Sequence, residues 1–133
     1  MKGLDTNLLV RYIIKDHPQQ AAVAVREIRG AGDRGDKLLI QPVVLCELVW
    51  VLRAAYGLAR ADIIPVLDQI LLTAQFEVAD QDTVWQALSD YRRGRGDFSD
   101  YYLGRANAAA GADTTLTFDA ALRGDPRFTV LST

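Results

Sequence analysis

Four carboxylates stand at the edges of, or inside, strongly apolar stretches of this 133-residue chain. They are Asp5, Glu47, Asp100 and Asp119. Charged side chains are rarely buried without a partner, and an isolated buried carboxylate is costly. Because no Lys or Arg recurs beside all four acids, the partner that this pattern favours is a bound cation. A site built from carboxylate oxygens suits a hard cation such as Mg²⁺ or Mn²⁺ better than zinc.

The segments of the chain alternate in type, which predicts an α/β fold with a central, mainly parallel β-sheet. Strands are predicted at 1–4, 38–40, 76–79, 115–118 and near 128–131. Helices are predicted at 6–14, about 16–29, 43–56, 60–73, 80–91 and 98–110, and loops at 30–35 and 92–96. We expect the first strand to be buried and the basic loop at 92–96 to be flexible.

These elements would place all four acids near one edge of the sheet. Asp5 and Asp119 directly follow predicted strands, and sites in parallel α/β sheets form beyond the carboxyl ends of the strands. Asp100 lies in the first turn of its helix, where the helix dipole favours an anion. Glu47 lies about one turn into the helix that follows the second strand. We therefore expect four distant segments to present carboxylate oxygens at the same rim.

Each acid also has a purely structural interpretation. Asp5 and Asp119 could cap the helical turns that follow them, and Asp97 and Asp100 fit a capping pair at the start of one helix. Glu47 needs neither a cap nor a turn, so its structural alternative is a salt bridge to a nearby Arg. These interpretations would require four separate coincidences, whereas a metal site explains all four acids at once.

Four motifs follow one another along the chain: Asp5-Thr6-Asn7, the helix of Glu47, Asp100-Tyr101-Tyr102-Leu103 and Thr117-Phe118-Asp119. In this order they resemble the PIN-domain nucleases, and most closely the VapC toxins of bacterial toxin–antitoxin pairs. The resemblance covers essentially the whole chain, including its length and the order of its segments. It implies a three-layer α/β/α fold, Mg²⁺- or Mn²⁺-dependent endoribonuclease activity, a homodimer, and inhibition by a cognate antitoxin protein.

Carried over by position, the resemblance makes Asp5, Glu47, Asp100 and Asp119 the metal-site acids and gives Asn7 and Thr117 supporting roles. Asp97 and Asp100 both remain candidates for the third acid. We prefer Asp100, because the helix that it begins resembles the family's Asp-x-x-Ile/Leu-Ala-Ala pattern, and Asp97 is then an N-cap or a supporting group. Gly104 and Arg105 replace the small Ala pair of that pattern.

Hydrolysis of an RNA phosphodiester by one or two metal ions needs no nucleophile from the protein. The sequence agrees, since it has no His near the acids, no Cys–His pair and no Gly-x-Ser-x-Gly motif. His17 is expected in a surface turn or cap, and Cys46 as a buried structural thiol. RNA must also be held by its phosphates, and Arg92, Arg93 and Arg95 are the candidates for that contact, although they could equally form a solvated loop.

Composition and charge limit the remaining possibilities. The chain is long enough for a single domain spanning residues 1–133, and its net charge of −2 excludes a strongly basic nucleic-acid coat but not a local basic patch. The lone Cys46 indicates a reducing compartment. No apolar run reaches the roughly 20 residues that cross a bilayer, and the N-terminus does not read as a signal peptide. We therefore expect a cytoplasmic protein that does not engage a membrane.

Other folds with an acidic or ligand-binding edge fit less well. A phosphoacceptor receiver domain needs a Lys after a late strand, but the lysines are Lys2, Lys15 and Lys37. A dehalogenase-type phosphatase needs Asp-x-Asp after the first strand, whereas Asp5-Thr6-Asn7 lacks the second acid. The non-enzymatic alternative is a catalytically degenerate PIN-like binding scaffold, which the presence of all four acids disfavours.

Two surfaces are candidates for protein partners. The helix at 43–56 is apolar almost all round, so we expect cover on several sides, part of it from a second subunit. An apolar groove for an antitoxin segment could involve the first two helices. Its candidate contacts are Leu8, Leu9, Ile13 and Val23.

Overall fold

Every strand pairing in the protein is parallel, as the alternation of segment types predicts. The computed structural model describes residues 1–133, which fall into two units, Met1–Asp80 and Gln81–Thr133. Each unit combines parallel strands with helices, so the mixed α/β class is confirmed in both. None of the helices is both long enough and apolar enough to cross a bilayer.

The first unit is built on a three-stranded sheet in the order β1-β2-β3. Its strands are β1 (Lys2–Gly3), β2 (Leu38–Ile40) and β3 (Phe76–Val78), and its helices are α1 (Thr6–Ile14), α2 (Pro18–Arg34), α3 (Pro42–Ala54) and α4 (Arg60–Leu72). The register pairs Lys2 with Leu38 and Leu38 with Phe76. The core is aliphatic and consists largely of Leu9, Ile28, Ile40, Leu45, Leu48, Leu52, Ile63 and Leu67.

The second unit consists of α5 (Gln81–Arg93), α6 (Phe98–Ala109), β4 (Thr115–Thr117), a short 3-10 helix (Ala120–Leu122) and β5 (Phe128–Val130). Its core is more aromatic than that of the first unit. Tyr91 meets Phe98 edge to face, and Tyr101 meets Phe128 in the same way. Gly104 allows the second contact, because a Cβ there would lie 2.6 Å from the Phe128 ring.

Two expectations about the first unit are wrong. The first strand is exposed rather than buried, because Lys2 carries a charged side chain that favours solvent and Gly3 has no side chain to bury. Helix α2 continues to Arg34 instead of ending near residue 29, so residues 30–34 are helical. The glycines there are tolerated because Ala31 is fully buried and Gly32 packs closely on the Gln75 side chain. The helix ends at Gly35, whose φ of 71° suits a residue without Cβ.

Helix α3 is less enclosed than its composition suggests. Val44, Leu45, Leu48, Val49 and Leu52 are buried, but the opposite face is exposed and carries Val43, Glu47 and Trp50. These three positions are four and three residues apart, so they form one stripe along the helix. The protein therefore covers α3 on one side only, and the stripe faces solvent with an acid between two apolar side chains.

Candidate functional site

Asp5 lies directly after β1 and caps helix α1. Its Oδ1 accepts a hydrogen bond from the Leu8 backbone N–H at 3.0 Å, and its backbone is extended, as an N-cap requires. The structural interpretation of Asp5 is thus correct, but the cap uses one carboxylate oxygen and leaves Oδ2 available. Asn7 is exposed on the first turn of the same helix.

Glu47 is exposed on α3 and forms no salt bridge, so its structural alternative is not found. Its charge has one evident effect. Burial, reinforced by the neighbouring Glu47 carboxylate, raises the pKa of the half-buried Cys46 thiol to about 11. At neutral pH Cys46 is therefore a protonated thiol, which agrees with a structural role and excludes an activated nucleophile.

In the second unit, Asp97 and Asp119 lie close enough to Asp100 to affect its pKa. Burial raises the pKa of Asp100, a hydrogen bond with the Asp97 backbone lowers it, and the charges of Asp97 and Asp119 raise it further. The net result is a raised pKa, so ionised Asp100 is disfavoured where it lies. A divalent cation would reverse that penalty. Asp97 is the N-cap residue of α6, as expected, but its side chain makes no capping hydrogen bond.

Asp119 is held in a short turn after β4. Its backbone N–H donates to Thr117 Oγ1 at 3.0 Å, and its Oδ1 accepts from the Ala121 N–H at 2.9 Å. Thr117 thereby orients the segment that carries Asp119. As with Asp5, capping occupies one carboxylate oxygen and leaves the other available.

The donors suit a hard cation, although no group of three or more His, Cys, Asp or Glu side chains is placed to hold a metal ion. Asp5 and Asp119 each keep one oxygen outside their caps, and Glu47 has no ion pair. Burial, together with the charges of Asp97 and Asp119, disfavours the ionised form of Asp100. All of these donors are carboxylate oxygens, which Mg²⁺ and Mn²⁺ prefer. The residues therefore fit a divalent cation chemically.

Burial makes a carboxylate costly at only one of these four positions. Asp5, Glu47 and Asp119 are exposed, and Asp100 alone is partly buried. An apolar neighbour in sequence does not bury a side chain that leaves the helix or strand on the solvent side. The case for the other three acids rests on their position and their free oxygens, because no burial penalty applies to them.

The expected loop at 92–96 is partly helical and packs against the second unit. Helix α5 continues to Arg93, and the next residues pack on Tyr101, whose hydroxyl accepts a hydrogen bond from the Gly96 N–H at 2.9 Å. A Cβ at Gly94 would lie 1.8 Å from that hydroxyl, so only glycine fits. Tyr101 is 3% exposed and thus faces the core. Arg92, Arg93 and Arg95 are exposed at this segment.

A buried ion pair in the second unit was not anticipated. The Asp90 side chain is 4% exposed and accepts hydrogen bonds from Arg105 Nε at 2.7 Å and from Arg105 Nη2 at 2.8 Å. Arg93 adds a third contact at 3.2 Å. The sequence contained an indication of this pair. Asp90 is an acid near Leu88 and Tyr91 on the buried face of its helix, and Arg105 replaces the small residue of the family pattern.

His17 caps α2, its Nδ1 accepting from the Gln20 N–H at 3.1 Å, so the capping role expected of it is confirmed. The antitoxin-groove residues divide into three groups. Leu8 and Val23 line a cavity of about 460 Å³ along α1 and α2, whereas Ile13 lines a different cavity beside α4. Leu9 is fully buried, so its assignment as a partner contact is wrong. Leu9 directly follows Leu8, so its side chain is rotated by about 100° around the helix and points to the core.

Comparison with known proteins gives two matches and one negative result. The family model described as PIN domain matches residues 3–124. A VapC ribonuclease of Aquifex aeolicus (strain VF5) is 28% identical over 100 residues, which cover 75% of this chain and 73% of that protein. A search of solved structures found no significant match.

Proposed function

Since this chain belongs to the PIN-domain family of nucleases, we propose that it is a divalent-metal-dependent endoribonuclease and the toxin of a toxin–antitoxin pair that inhibits translation. The similarity to a VapC ribonuclease supports RNA as the substrate. The observation that supports the metal dependence is the raised pKa of Asp100, caused chiefly by burial and increased by the charges of Asp97 and Asp119, which disfavours its ionised form without a cation. The mixed α/β fold with parallel strands is that expected of a three-layer α/β/α PIN domain.

We assign the metal to Asp5, Glu47, Asp100 and Asp119, with both units acting together as one domain. Mg²⁺ or Mn²⁺ bound there would activate water and neutralise charge on the phosphate under attack. Thr117 orients the Asp119 turn through its hydroxyl, and we give Asn7 a supporting role beside Asp5. His17 and Cys46 take no part, because one caps a helix and the other is a protonated thiol.

The proposed partners are RNA, a cognate antitoxin and a second copy of the chain, and the proposed location is the cytoplasm. For the antitoxin, the cavity of about 460 Å³ along α1 and α2 offers apolar contacts at Leu8 and Val23 beside polar groups of Arg11 and Gln20. Such a surface suits an amphipathic segment, whose apolar face would contact the two aliphatic side chains.

Metal dependence is the direct test of this function. We expect cleavage of single-stranded or looped RNA with Mg²⁺ or Mn²⁺ and none in EDTA. Mn²⁺ at one hundred times its dissociation constant should also stabilise the fold by about 2.7 kcal/mol. Asp5→Asn and Asp119→Asn are matched variants, because Asn caps a helix as well as Asp but carries no charge. Both should lose cleavage and the Mn²⁺-induced shift while keeping their fold.

Two outcomes would contradict the proposal. Cleavage undiminished in EDTA would exclude a metal mechanism. Absence of cleavage with every divalent ion and a range of RNAs would leave the degenerate binding scaffold as the better description of this chain.

Association is a separate proposal. We expect the protein to sediment at twice the mass of one chain at micromolar concentration, as the family resemblance implies. The exposed stripe of α3 is not assigned to this contact, because Glu47 lies between Val43 and Trp50 and a partner there would cover a proposed metal ligand. Sedimentation of a monomer at 10-fold higher concentration, on the order of tens of micromolar, would contradict the homodimer.

A further inference from the structure

A cavity of about 640 Å³ in the second unit is lined by four arginines. They are Arg93, Arg95, Arg123 and Arg127, and two acids, Asp90 and Asp125, line the same cavity. Four guanidinium groups against two carboxylates leave a charge of +2, on a chain whose net charge is −2. Positive charge is thus concentrated here against the balance of the whole protein.

Both acids of this cavity are already paired. Asp90 accepts from Arg105 and Arg93, and Asp125 accepts from the Arg127 backbone N–H at 2.9 Å and from its guanidinium at 3.3 Å. Arg95 and Arg123 are exposed, and their guanidinium groups make no hydrogen bond or ion pair within the protein. Their donors are therefore available to an anion, and the paired acids do little to offset them.

The wall that carries Arg95 is held in place before any ligand binds. Gly94 and Gly96 pack directly on the buried Tyr101, and a Cβ at Gly96 would lie 2.5 Å from Leu122. Gly94 also donates its N–H to the Asp90 carbonyl at 2.8 Å. A preformed site loses less conformational entropy on binding than a mobile loop would.

The cavity adjoins the segments that carry two of the proposed metal-site acids. Tyr101 follows Asp100 on α6, and Ala120 follows Asp119 at the 3-10 helix; both line the cavity. Its volume lies in the range of pockets that hold small molecules and cofactors, so it has room for a nucleotide unit as well as its phosphate.

We infer that this cavity binds a backbone phosphate of the RNA close to the one that is cleaved, with Arg95 and Arg123 as its principal contacts. Guanidinium groups match phosphate through paired hydrogen bonds, and fixed phosphate contacts set the position of the strand without reading its sequence. The identity of the ligand as RNA rests on the proposed function, whereas the anion site rests on the second unit itself.

The test is equilibrium binding of a fluorescent single-stranded RNA in EDTA, where the proposed cleavage is absent. The Arg95→Gln/Arg123→Gln variant should bind at least 10-fold more weakly than wild type. Its plot of log affinity against log salt should be shallower by about 0.7 to 1, the contribution of one phosphate contact. The matched control is Arg26→Gln/Arg29→Gln, which removes the same charge from exposed positions on α2 and should leave both values unchanged. Melting curves will verify that both variants fold.

Equal weakening by the two double variants would show an effect of overall charge and would overturn the inference, as would unchanged binding by Arg95→Gln/Arg123→Gln. The two proposals fail separately. Wild type that binds RNA through the two arginines but never cleaves it with metal would refute the nuclease and keep the phosphate site. Wild type that cleaves RNA, with binding unaffected by loss of Arg95 and Arg123, would refute the phosphate site alone.

Discussion

Asp100→Asn should abolish RNA cleavage and yet raise the melting temperature of the metal-free protein at neutral pH. Loss of a metal-site acid removes transition-state stabilisation of about 4 kcal/mol, which is a fall in rate of roughly 10³-fold. The opposite effect on stability follows from the raised pKa of Asp100, caused chiefly by burial and increased by the charges of Asp97 and Asp119. Asn is neutral, so the folded state no longer holds an unfavourable charge.

The gain in stability should depend on pH in a defined direction. Because the folded state raises the pKa of Asp100, it holds the proton more tightly than the unfolded chain does. Stability of the wild type therefore falls as pH rises from the ordinary aspartate pKa through the raised one, and stays lower above it. Asp100→Asn lacks this fall. Thermal melts in EDTA should show the two proteins alike at acidic pH and the variant higher at neutral pH.

Asp97→Asn is the control that separates the two candidate acids. It should retain substantial cleavage, because the metal is assigned to Asp100 and the Asp97 side chain makes no capping hydrogen bond that the substitution could remove. Loss of cleavage in Asp97→Asn with retention in Asp100→Asn would show that the pair is assigned the wrong way round. A lower melting temperature for Asp100→Asn at neutral pH in EDTA would mean that the carboxylate serves the fold.

Arg105→Met should be strongly destabilising, by roughly 3 kcal/mol in the free energy of unfolding. The substitution leaves Asp90 buried with only the contact from Arg93, an exposed side chain at 3.2 Å, in place of the two short bonds from Arg105. For a domain of this size, the corresponding fall in melting temperature is about 10 °C. Urea denaturation followed by circular dichroism measures the free-energy change directly.

Most of this loss of stability should come from leaving the buried Asp90 carboxylate without its partner, rather than from losing the Arg105 side chain itself. Asp90→Leu/Arg105→Met, which removes both charges, should therefore be much less destabilised than Arg105→Met alone. Arg34→Met is the matched exposed control, since the Arg34–Asp36 pair lies on the surface and should contribute less than about 1 kcal/mol. An Arg105→Met variant as stable as Arg34→Met would show that Asp90 does not depend on its partner.

The order of the elements and their type were determined by the sequence alone. Helix and strand periodicity, Pro at the start of helices and Gly at their ends act within a few residues, so their effect can be read locally. The same holds for His17, whose place before Pro18 makes it a cap, and for the parallel sense of the strands, which helical crossovers impose. Family membership could likewise be predicted from the sequence, because the acid motifs are short and keep their order along the chain.

Only the tertiary structure decided which side chains are exposed and which distant groups meet. Local sequence rules predict that α2 ends before its glycines, but burial of Ala31 and the contact of Gly32 with Gln75 favour continuing the helix. The apolar composition of α3 predicts cover on several sides, yet packing covers one face and leaves Glu47 in solvent. The Asp90–Arg105 pair joins residues of two different helices, and the cavity with Arg95 and Arg123 joins segments about thirty positions apart. Such contacts depend on how helices dock, and docking is determined by the whole set of buried surfaces rather than by any one segment.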